Sequence, residues 1–104
     1  MVGKSFSERV VELAKSIPFG RVTTYGDLAR AAGGTPMAAQ SISGILWRAE
    51  EKGAKDIPWH RIVYADGRVW LPDEHREARL RLYKKEKIKI DEKGRVVDFD
   101  EIRF

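Results

Sequence analysis

Two apolar patterns of helical spacing, separated by the pair Gly33-Gly34, constrain the fold of this chain more than any other feature. The first pattern follows Thr24, a residue type that caps helices. The second begins where Thr35 precedes Pro36, a combination typical of a helix start. Two helices joined by a tight glycine turn predict a helix-turn-helix over about residues 24–48, an arrangement that alone does not establish DNA binding.

The second of these helices differs in composition from the rest of the chain. Charged residues make up 35% of the sequence, yet residues 34–49 contain a single charge, Arg48. The predicted outward face carries Gln40, Ser41, Ser43, Gly44 and Trp47. Either this helix is buried on both sides, or its face is shaped to let a backbone or a groove wall come close.

The flanking segments predict further short elements. A capping box at Ser5–Glu8 starts an amphipathic helix that stops before Pro18 and Gly20. Residues 64–70, which follow the segment 57–63, alternate around an Asp66-Gly67 turn like a hairpin, and Asp73 is placed to cap a last helix that ends near Glu86. Residues 88–99 suggest a terminal hairpin or a pair of extended segments. We therefore expect one mostly α-helical domain over residues 1–104, with short β hairpins and a terminal extension at about 88–104.

Composition limits the function classes open to the chain. Its 104 residues allow one small domain with a modest core. The net charge is +4, although residues 91–104 are net acidic, and the basic remainder favours a polyanionic partner such as nucleic acid. The absence of cysteine excludes disulfides, thiolate metal sites and thiol nucleophiles. No apolar run approaches the roughly 18 residues of a membrane span, and the N-terminus lacks the apolar stretch of a signal peptide, so we expect a cytoplasmic protein without membrane contact.

Common catalytic and cofactor motifs do not occur in this sequence. His60 and His75 are the only histidines, and no close-set metal-ligand pattern such as HExxH includes them. The sequence has no GxSxG nucleophile elbow, no P-loop and no GxGxxG after a strand. We therefore expect no metal, no cofactor and no catalytic residues.

Two segments carry a resemblance to a known family: Gly20-Arg-Val-Thr-Thr-Tyr25-Gly-Asp-Leu-Ala29 and Ile57-Pro-Trp-His-Arg-Ile-Val63. In this order they resemble the DNA-binding domain of the O6-alkylguanine-DNA alkyltransferases, over about residues 5–90. The resemblance implies a winged-helix-like helix-turn-helix domain of the alkyltransferase C-terminal type. The family's active-site segment is Pro-Cys-His-Arg-Val, whose cysteine takes the alkyl group, and here Trp59 stands at the cysteine position.

Tryptophan has no nucleophilic atom, so alkyl transfer by the family's mechanism is impossible in this chain. A tryptophan at this position is the pattern of the alkyltransferase-like proteins, which bind alkylated guanine in DNA without repairing it and flag it for nucleotide-excision repair. The resemblance thus implies a sensor, with alkylated duplex DNA and excision-repair proteins as partners. We expect it to be a monomer that associates with the nucleoid when bound to DNA.

The resemblance also implies a set of DNA-contacting residues. Tyr25 matches the family tyrosine that presses on the backbone phosphate and helps rotate the target nucleotide outward; otherwise it is an ordinary aromatic at a helix start. Helix 36–48 matches the recognition helix that enters the minor groove, where a width of only about 6 Å excludes bulky side chains. Gln40 occupies the position of the family's intercalating arginine and lacks its charge. The predicted contacts are Thr24, Tyr25, Ala39, Gln40, Ser41, Ser43, Gly44 and Arg48.

A flipped base needs a pocket that offers stacking surface and hydrogen bonds. Trp59 and Pro58 would form part of its wall, unless Trp59 packs in the core. His60 and Glu86 match the family's proton-relay pair and, without a thiol, would support the pocket as a hydrogen-bonded couple. Arg61 would buttress the neighbouring loops or remain a surface charge. The predicted pocket residues are Pro58, Trp59, His60, Arg61, Tyr64, Trp70 and Glu86, of which Tyr64 and Trp70 belong to the pocket or to the core.

Three other functions compete with the sensor interpretation. A helix-turn-helix regulator without a lesion pocket would prefer an unmodified sequence, but the outward face of helix 36–48 lacks the Arg and Asn typical of base readout. An enzyme built on His60 would show turnover that depends on that residue. A family member retained for protein contacts alone would bind no DNA. In the sensor interpretation the acidic segment 98–101 lies away from DNA, where it is open to a repair protein.

Overall fold

The computed structural model describes residues 4–104, so the first three residues of the predicted domain lie outside the described chain. The fold is mostly helical with one small two-stranded sheet. The contacts divide it into two compact units, which we call unit 1 (up to Ser16, and Tyr25–Pro58) and unit 2 (Ile17–Thr24 and Trp59–Phe104). None of the helices within residues 4–104 has the length and apolar character that crossing a membrane requires.

Unit 1 begins with helix α1, Phe6–Lys15, which is capped as predicted. The Ser5 hydroxyl accepts a hydrogen bond from the Glu8 backbone N–H at 3.2 Å, which satisfies one of the donors left open at a helix start. Val10 and Ala14, one turn apart, are fully buried on the inner face of the helix. The Ser5 cap and the amphipathic pattern are therefore confirmed, while the Glu8 carboxylate accepts from the Ser5 hydroxyl at 3.2 Å and not from the Ser5 backbone N–H that a full capping box uses.

The predicted helix-turn-helix is present in unit 1. Helix α2, Tyr25–Ala31, is followed by a turn and then by a 3₁₀ helix, Pro36–Ser41, that leads into helix α3, Ile42–Glu51. The prediction of an α-helix from residue 36 is wrong, because α-helical geometry starts only at Ile42. The Thr35 side chain makes no capping hydrogen bond, and the tighter 3₁₀ winding is frequent at helix N-termini.

The two glycines of the turn are needed for different reasons. Gly33 has φ +93°, a left-handed conformation that costs other residues free energy. Gly34 does not, but a Cβ atom there would lie 2.7 Å from Phe6 Cε1 and 3.1 Å from the Ala38 Cβ. The turn can therefore pack against the start of α1 only because Gly34 has no side chain.

Helix α3 is buried on one side only. Ile42, Ile45 and Leu46 are buried, whereas Ser43 is exposed and the Trp47 side chain is 62% exposed. The alternative in which this helix is buried on both sides is therefore wrong. Its exposed side carries small and polar side chains together with the large indole of Trp47.

Unit 2 is built around a small parallel sheet. Strand β1, Thr23–Thr24, pairs with strand β2, Ile62–Val63, and the core beside it contains Val22, Val63, Tyr83, Ile88 and Val96. The Asp66-Gly67 turn forms, with Gly67 at φ +86°. The predicted hairpin is limited to this turn, which is closed by the Tyr64 N–H donating to the Arg68 carbonyl at 3.0 Å. Beyond the turn, β2 pairs with β1, and Arg68 forms a bridge with Arg95. Because the pairing is long-range, local alternation could not reveal it.

The second half of unit 2 contains helix α4, Arg76–Lys85, preceded by a 3₁₀ helix at Asp73–His75. Asp73 lies within that 3₁₀ turn, where no side-chain capping bond forms, so its predicted role as a cap is wrong. The predicted end near Glu86 is confirmed, since Glu86 is the C-terminal cap of α4.

Residues 88–104 form a hairpin followed by a helical turn. Ile90 and Val96 form an antiparallel bridge, and the Val97 N–H donates to the Lys89 carbonyl at 2.8 Å, so the hairpin alternative is confirmed. Phe99, predicted as extended, instead begins helix α5, Phe99–Ile102, which replaces α4 as the last helix. The chain end then pairs with the segment before β1, because the Phe104 N–H donates to the Val22 carbonyl at 2.7 Å.

Candidate functional site

Glu86 is the centre of a hydrogen-bonded cluster in unit 2. Its side chain is only 3% exposed, and its carboxylate accepts bonds from Arg61 Nε at 3.0 Å and Nη2 at 2.9 Å, from the Gly20 backbone N–H at 2.8 Å and from His60 Nε2. Arg61 Nη1 also donates to the Ile17 carbonyl at 3.0 Å. The cluster thus ties the segment before β1 and the 3₁₀ helix Trp59–Arg61 to the end of α4.

The electrostatics of the cluster favour an ionised Glu86. Burial by itself raises the pKa of this carboxyl group, but the hydrogen bonds from Arg61, Gly20 and His60 outweigh it and hold the pKa below its ordinary value. A buried carboxylate with charged and backbone donors is a rigid anchor because moving any one partner leaves a charge unsatisfied. The predicted His60–Glu86 couple is therefore present, and Arg61 is its third member rather than a free surface charge.

Trp59 opens the 3₁₀ helix Trp59–Arg61, directly before the two residues that bind Glu86. Its side chain is half-buried, and Pro58 before it is buried. The indole therefore does not belong to the fully buried core, in contrast to the core alternative. The anchor at His60 and Arg61 fixes the backbone that presents it.

Tyr64 and Trp70 are surface residues of unit 2. Their side chains are 41% and 45% exposed, which excludes the alternative that places them in the core. The guanidinium carbon of Arg68 lies 5.4 Å from the Tyr64 ring centre, and that of Arg79 lies 4.9 Å from the Trp70 ring centre. A cation–π pair at an exposed site contributes about 0.5–1 kcal/mol.

In unit 1, the predicted contact residues of the second helix of the pair lie on the 3₁₀ helix and the first turn of α3. Gln40, Ser41 and Ser43 are exposed, and Ala39 and Gly44 are half-buried. A Cβ atom on Gly44 would meet only Arg48, at 3.5 Å from Nη1, which is an ordinary contact. Nothing within unit 1 therefore requires glycine at this position, although glycine weakens a helix interior.

Three predicted residues around the helix pair have different surroundings. Tyr25 begins α2 and is half-buried, so part of its ring is accessible. Arg48 is exposed and lines a groove between α1 and α3 together with Glu8 and Glu12. Thr24 is only 2% exposed within β1, where it pairs with Val63, so its side chain offers almost no surface to DNA and its predicted contact stays a prediction.

Two partners of the cluster were not predicted from the sequence. Gly20 and Ile17 contribute only backbone atoms to the cluster. Because every residue has such atoms, the pattern of side chains does not predict these hydrogen bonds. Glu86 lies 25 residues beyond Arg61 at the end of a helix, so their ion pair can be predicted only once the two segments are known to meet. Within residues 4–104 no group of three or more metal-ligating side chains comes together.

Comparison with known proteins identifies relatives for most of the chain. The family model for the DNA-binding domain of 6-O-methylguanine DNA methyltransferase matches residues 5–88. The "DNA base-flipping protein" of Escherichia coli (strain K12) is 42% identical over 80 residues, which are 75% of this chain and 60% of that protein. The "Alkyltransferase-like protein 1" of Schizosaccharomyces pombe is 30% identical over 64 residues, covering 62% of this chain and 56% of that protein. The chain thus spans about 60% of the length of the E. coli relative.

A solved structure has the same fold. The S. pombe alkyltransferase-like protein, in complex with damaged DNA containing O6-carboxymethylguanine, matches with a TM-score of 0.72 over 100% of this chain and 98% of that one. The sequence identity is 22%, so this likeness concerns the fold.

Proposed function

Because the chain belongs to the family of the 6-O-methylguanine DNA methyltransferase DNA-binding domain, we propose that it recognises O6-alkylated guanine in duplex DNA and leaves the alkyl group in place. One observation carries this proposal. Trp59 stands in the Pro-x-His-Arg segment where the transferases have their cysteine, and the next two residues, His60 and Arg61, are each hydrogen-bonded to Glu86.

Unit 1 supplies the DNA contact in this proposal. The face made by Gln40, Ser43 and Gly44 has little bulk, which suits a minor groove about 6 Å wide. Tyr25 is accessible at the start of α2, where its ring presses on a backbone phosphate. Gln40 is exposed and uncharged; it fills the space left in the base stack and hydrogen-bonds the orphaned partner base.

The Trp59 segment holds the extruded base. Extrusion costs a few kcal/mol of unstacking, which an aromatic surface in the pocket recovers in part. The half-buried indole offers such a surface, and its backbone is fixed by the Glu86 cluster. An O6-alkylated guanine pairs poorly with cytosine, so its extrusion costs less than that of plain guanine. This difference favours the lesion.

The alkyl group stays on the base because this chain has no group to accept it. Transfer in this family forms a sulfur–carbon bond as the O6–carbon bond breaks, and the sequence contains no cysteine. His60 therefore has no thiol to deprotonate, and its hydrogen bond to Glu86 serves only to position the segment. A stable complex that does not react marks the site for other proteins, and we propose the nucleotide-excision repair machinery as the partner.

The test compares one duplex carrying O6-methylguanine with the same duplex carrying guanine, at a stated salt concentration. We expect the wild type to prefer the lesion at least tenfold, and Tyr25→Ala to reduce both the affinity and the preference. Equal affinity for the two duplexes would contradict lesion recognition, and preference for a particular unmodified sequence would favour a helix-turn-helix regulator.

A further inference from the structure

Helix α4 in unit 2 carries a concentration of positive charge that the proposed function does not use. Its ten residues include Glu77 as the one acidic residue and five basic ones, and Lys87 and Lys89 follow directly. We call Arg81, Lys84, Lys85 and Lys87 the α4 basic surface. All four are exposed, whereas Tyr83 turns inward and is 1% exposed.

The acidic residues near this surface do not neutralise it. Glu77 lies 3.7 Å from Arg81, but the two side chains are 90% and 78% exposed, so the pair is weak and its charges stay hydrated. Glu86 is buried, and its charge is matched by Arg61 within the cluster. The surface therefore presents net positive charge to solvent.

The helix spaces these cations regularly. Arg81, Lys84 and Lys85 are related by steps of three and four residues, so they share one face of the helix. Arg81 and Lys85 are separated by about 6 Å along the helix axis. Each strand of duplex DNA carries one phosphate per ~3.4 Å of axis, so long side chains at this spacing can reach neighbouring phosphates.

Lys87 stands where the fold favours glycine. Helix α4 ends in a Schellman motif, in which the Ile88 N–H donates to the Tyr83 carbonyl at 2.9 Å and the Lys87 N–H to the Lys84 carbonyl at 3.1 Å. The residue after the cap of such a motif takes a left-handed conformation, and Lys87 has φ +60°. A lysine at a glycine position adds a cation to the surface at the expense of backbone strain.

We propose that the α4 basic surface binds the phosphate backbone of duplex DNA as a second contact, independent of base identity. The inference rests on the proposed function, since it assigns another part of the chain to the same DNA partner. Contacts to phosphates carry no sequence or lesion information, so this surface strengthens binding to damaged and undamaged duplex equally. Its role is to hold the protein on DNA while the helix pair samples bases.

The experiment measures affinity against salt concentration for the plain and the O6-methylguanine duplex. The variants are the triple substitution Arg81→Ala/Lys84→Ala/Lys85→Ala and the single substitution Lys87→Gly. Lys15→Ala is the matched control because Lys15 also lies in the last turn of a helix, α1, and is exposed. Thermal unfolding of each variant accompanies the titrations, since lysines in a last turn also stabilise a helix.

We expect the triple variant to lower the slope of log affinity against log salt by about 2 to 3, because each lost phosphate contact removes about 0.9. For this variant, the ratio of the affinity for the O6-methylguanine duplex to the affinity for the plain duplex should stay within twofold of the wild-type ratio. Lys87→Gly should lose part of the same slope while its melting temperature rises, which separates loss of charge from loss of fold.

If the triple variant and Lys87→Gly have the same slope as Lys15→Ala, the inference is overturned, and an acidic protein becomes the favoured partner of the surface. If the triple variant has a reduced slope but the wild type does not prefer the lesion, the inference is upheld and the proposed function is contradicted. Absence of any duplex binding by the wild type would overturn both.

Discussion

The Glu86 carboxylate combines burial with three kinds of donor: a guanidinium, an imidazole and a backbone N–H. Replacement by glutamine keeps the size of the side chain and removes its charge, which leaves Arg61 without an anionic partner. We expect Glu86→Gln to lower the free energy of unfolding at neutral pH by about 3 kcal/mol. Urea unfolding measures this change, with the exposed Glu77→Gln as a control that should be almost neutral.

The same residue gives the protein an acid-labile contribution to stability. Because the pKa of Glu86 is lowered in the folded state, its contribution is present above its ordinary pKa of 4.5 and is lost as the pH falls through the lowered value. The free energy of unfolding of the wild type should therefore fall towards that of the Glu86→Gln variant as the pH decreases from 5 to about 3. Parallel stability curves for the two proteins over this range would contradict the assignment.

Side-chain identity predicted part of this cluster, whereas the bonds made by backbone atoms could not be predicted from the sequence. His60 and Glu86 were paired through the family resemblance, and the structure confirms their hydrogen bond. The bonds from Gly20 and to Ile17 use backbone atoms, whose positions follow from the tertiary fold alone. The burial of Thr24 was not predicted for a similar reason, since its strand partner Val63 lies far along the chain.

At the scale of elements, the helix pair depends on how closely its turn approaches α1. A methyl group on Gly34 would come within 2.7 Å of Phe6 Cε1, closer than a packed aromatic ring tolerates. We expect Gly34→Ala to destabilise the protein by about 1–3 kcal/mol. Gly34→Ala should lower the free energy of unfolding less in the Phe6→Leu variant than in the wild type, because the ring it collides with is gone. The same loss of stability in both proteins would contradict steric contact as the cause.

Gly44 in α3 tests whether a partner comes close to that helix. Its added Cβ meets only Arg48 at an ordinary distance, so alanine fits the free protein and should stabilise it by about 0.5–1 kcal/mol. In the minor-groove complex the same methyl group would meet DNA, and we expect at least a tenfold loss of affinity. Unchanged affinity in the more stable variant would show that DNA does not approach Gly44.

Elements were predictable where local patterns determine them. Spacing gave the positions of α1 and α2, capping that of the start of α1, and the glycine turn has its expected left-handed residue. The 3₁₀ start at Pro36 and the parallel pairing of β1 with β2 were not predicted. The first depends on fine differences in winding, and the second on contacts between segments about 40 residues apart, which only tertiary packing selects.

At the scale of the whole molecule, charge and chemistry have separate roles. A net charge of +4 in 104 residues, concentrated outside the acidic tail, attracts DNA of any sequence. In the proposed function, selection of the lesion depends on the helix pair and on the Trp59 segment, both of which lie within the family match over residues 5–88. The same proposal attributes binding without repair to the missing thiol.

The fate of the alkyl group itself distinguishes binding of the lesion from its repair. A duplex containing O6-methylguanine with a radiolabelled methyl carbon is mixed with excess protein, the complex is isolated, and protein and DNA are then separated under denaturing conditions. We expect the complex to form in preference to one with the plain duplex, and all of the label to return with the DNA. Label on the protein, or equal binding of the plain duplex, would contradict the proposed function.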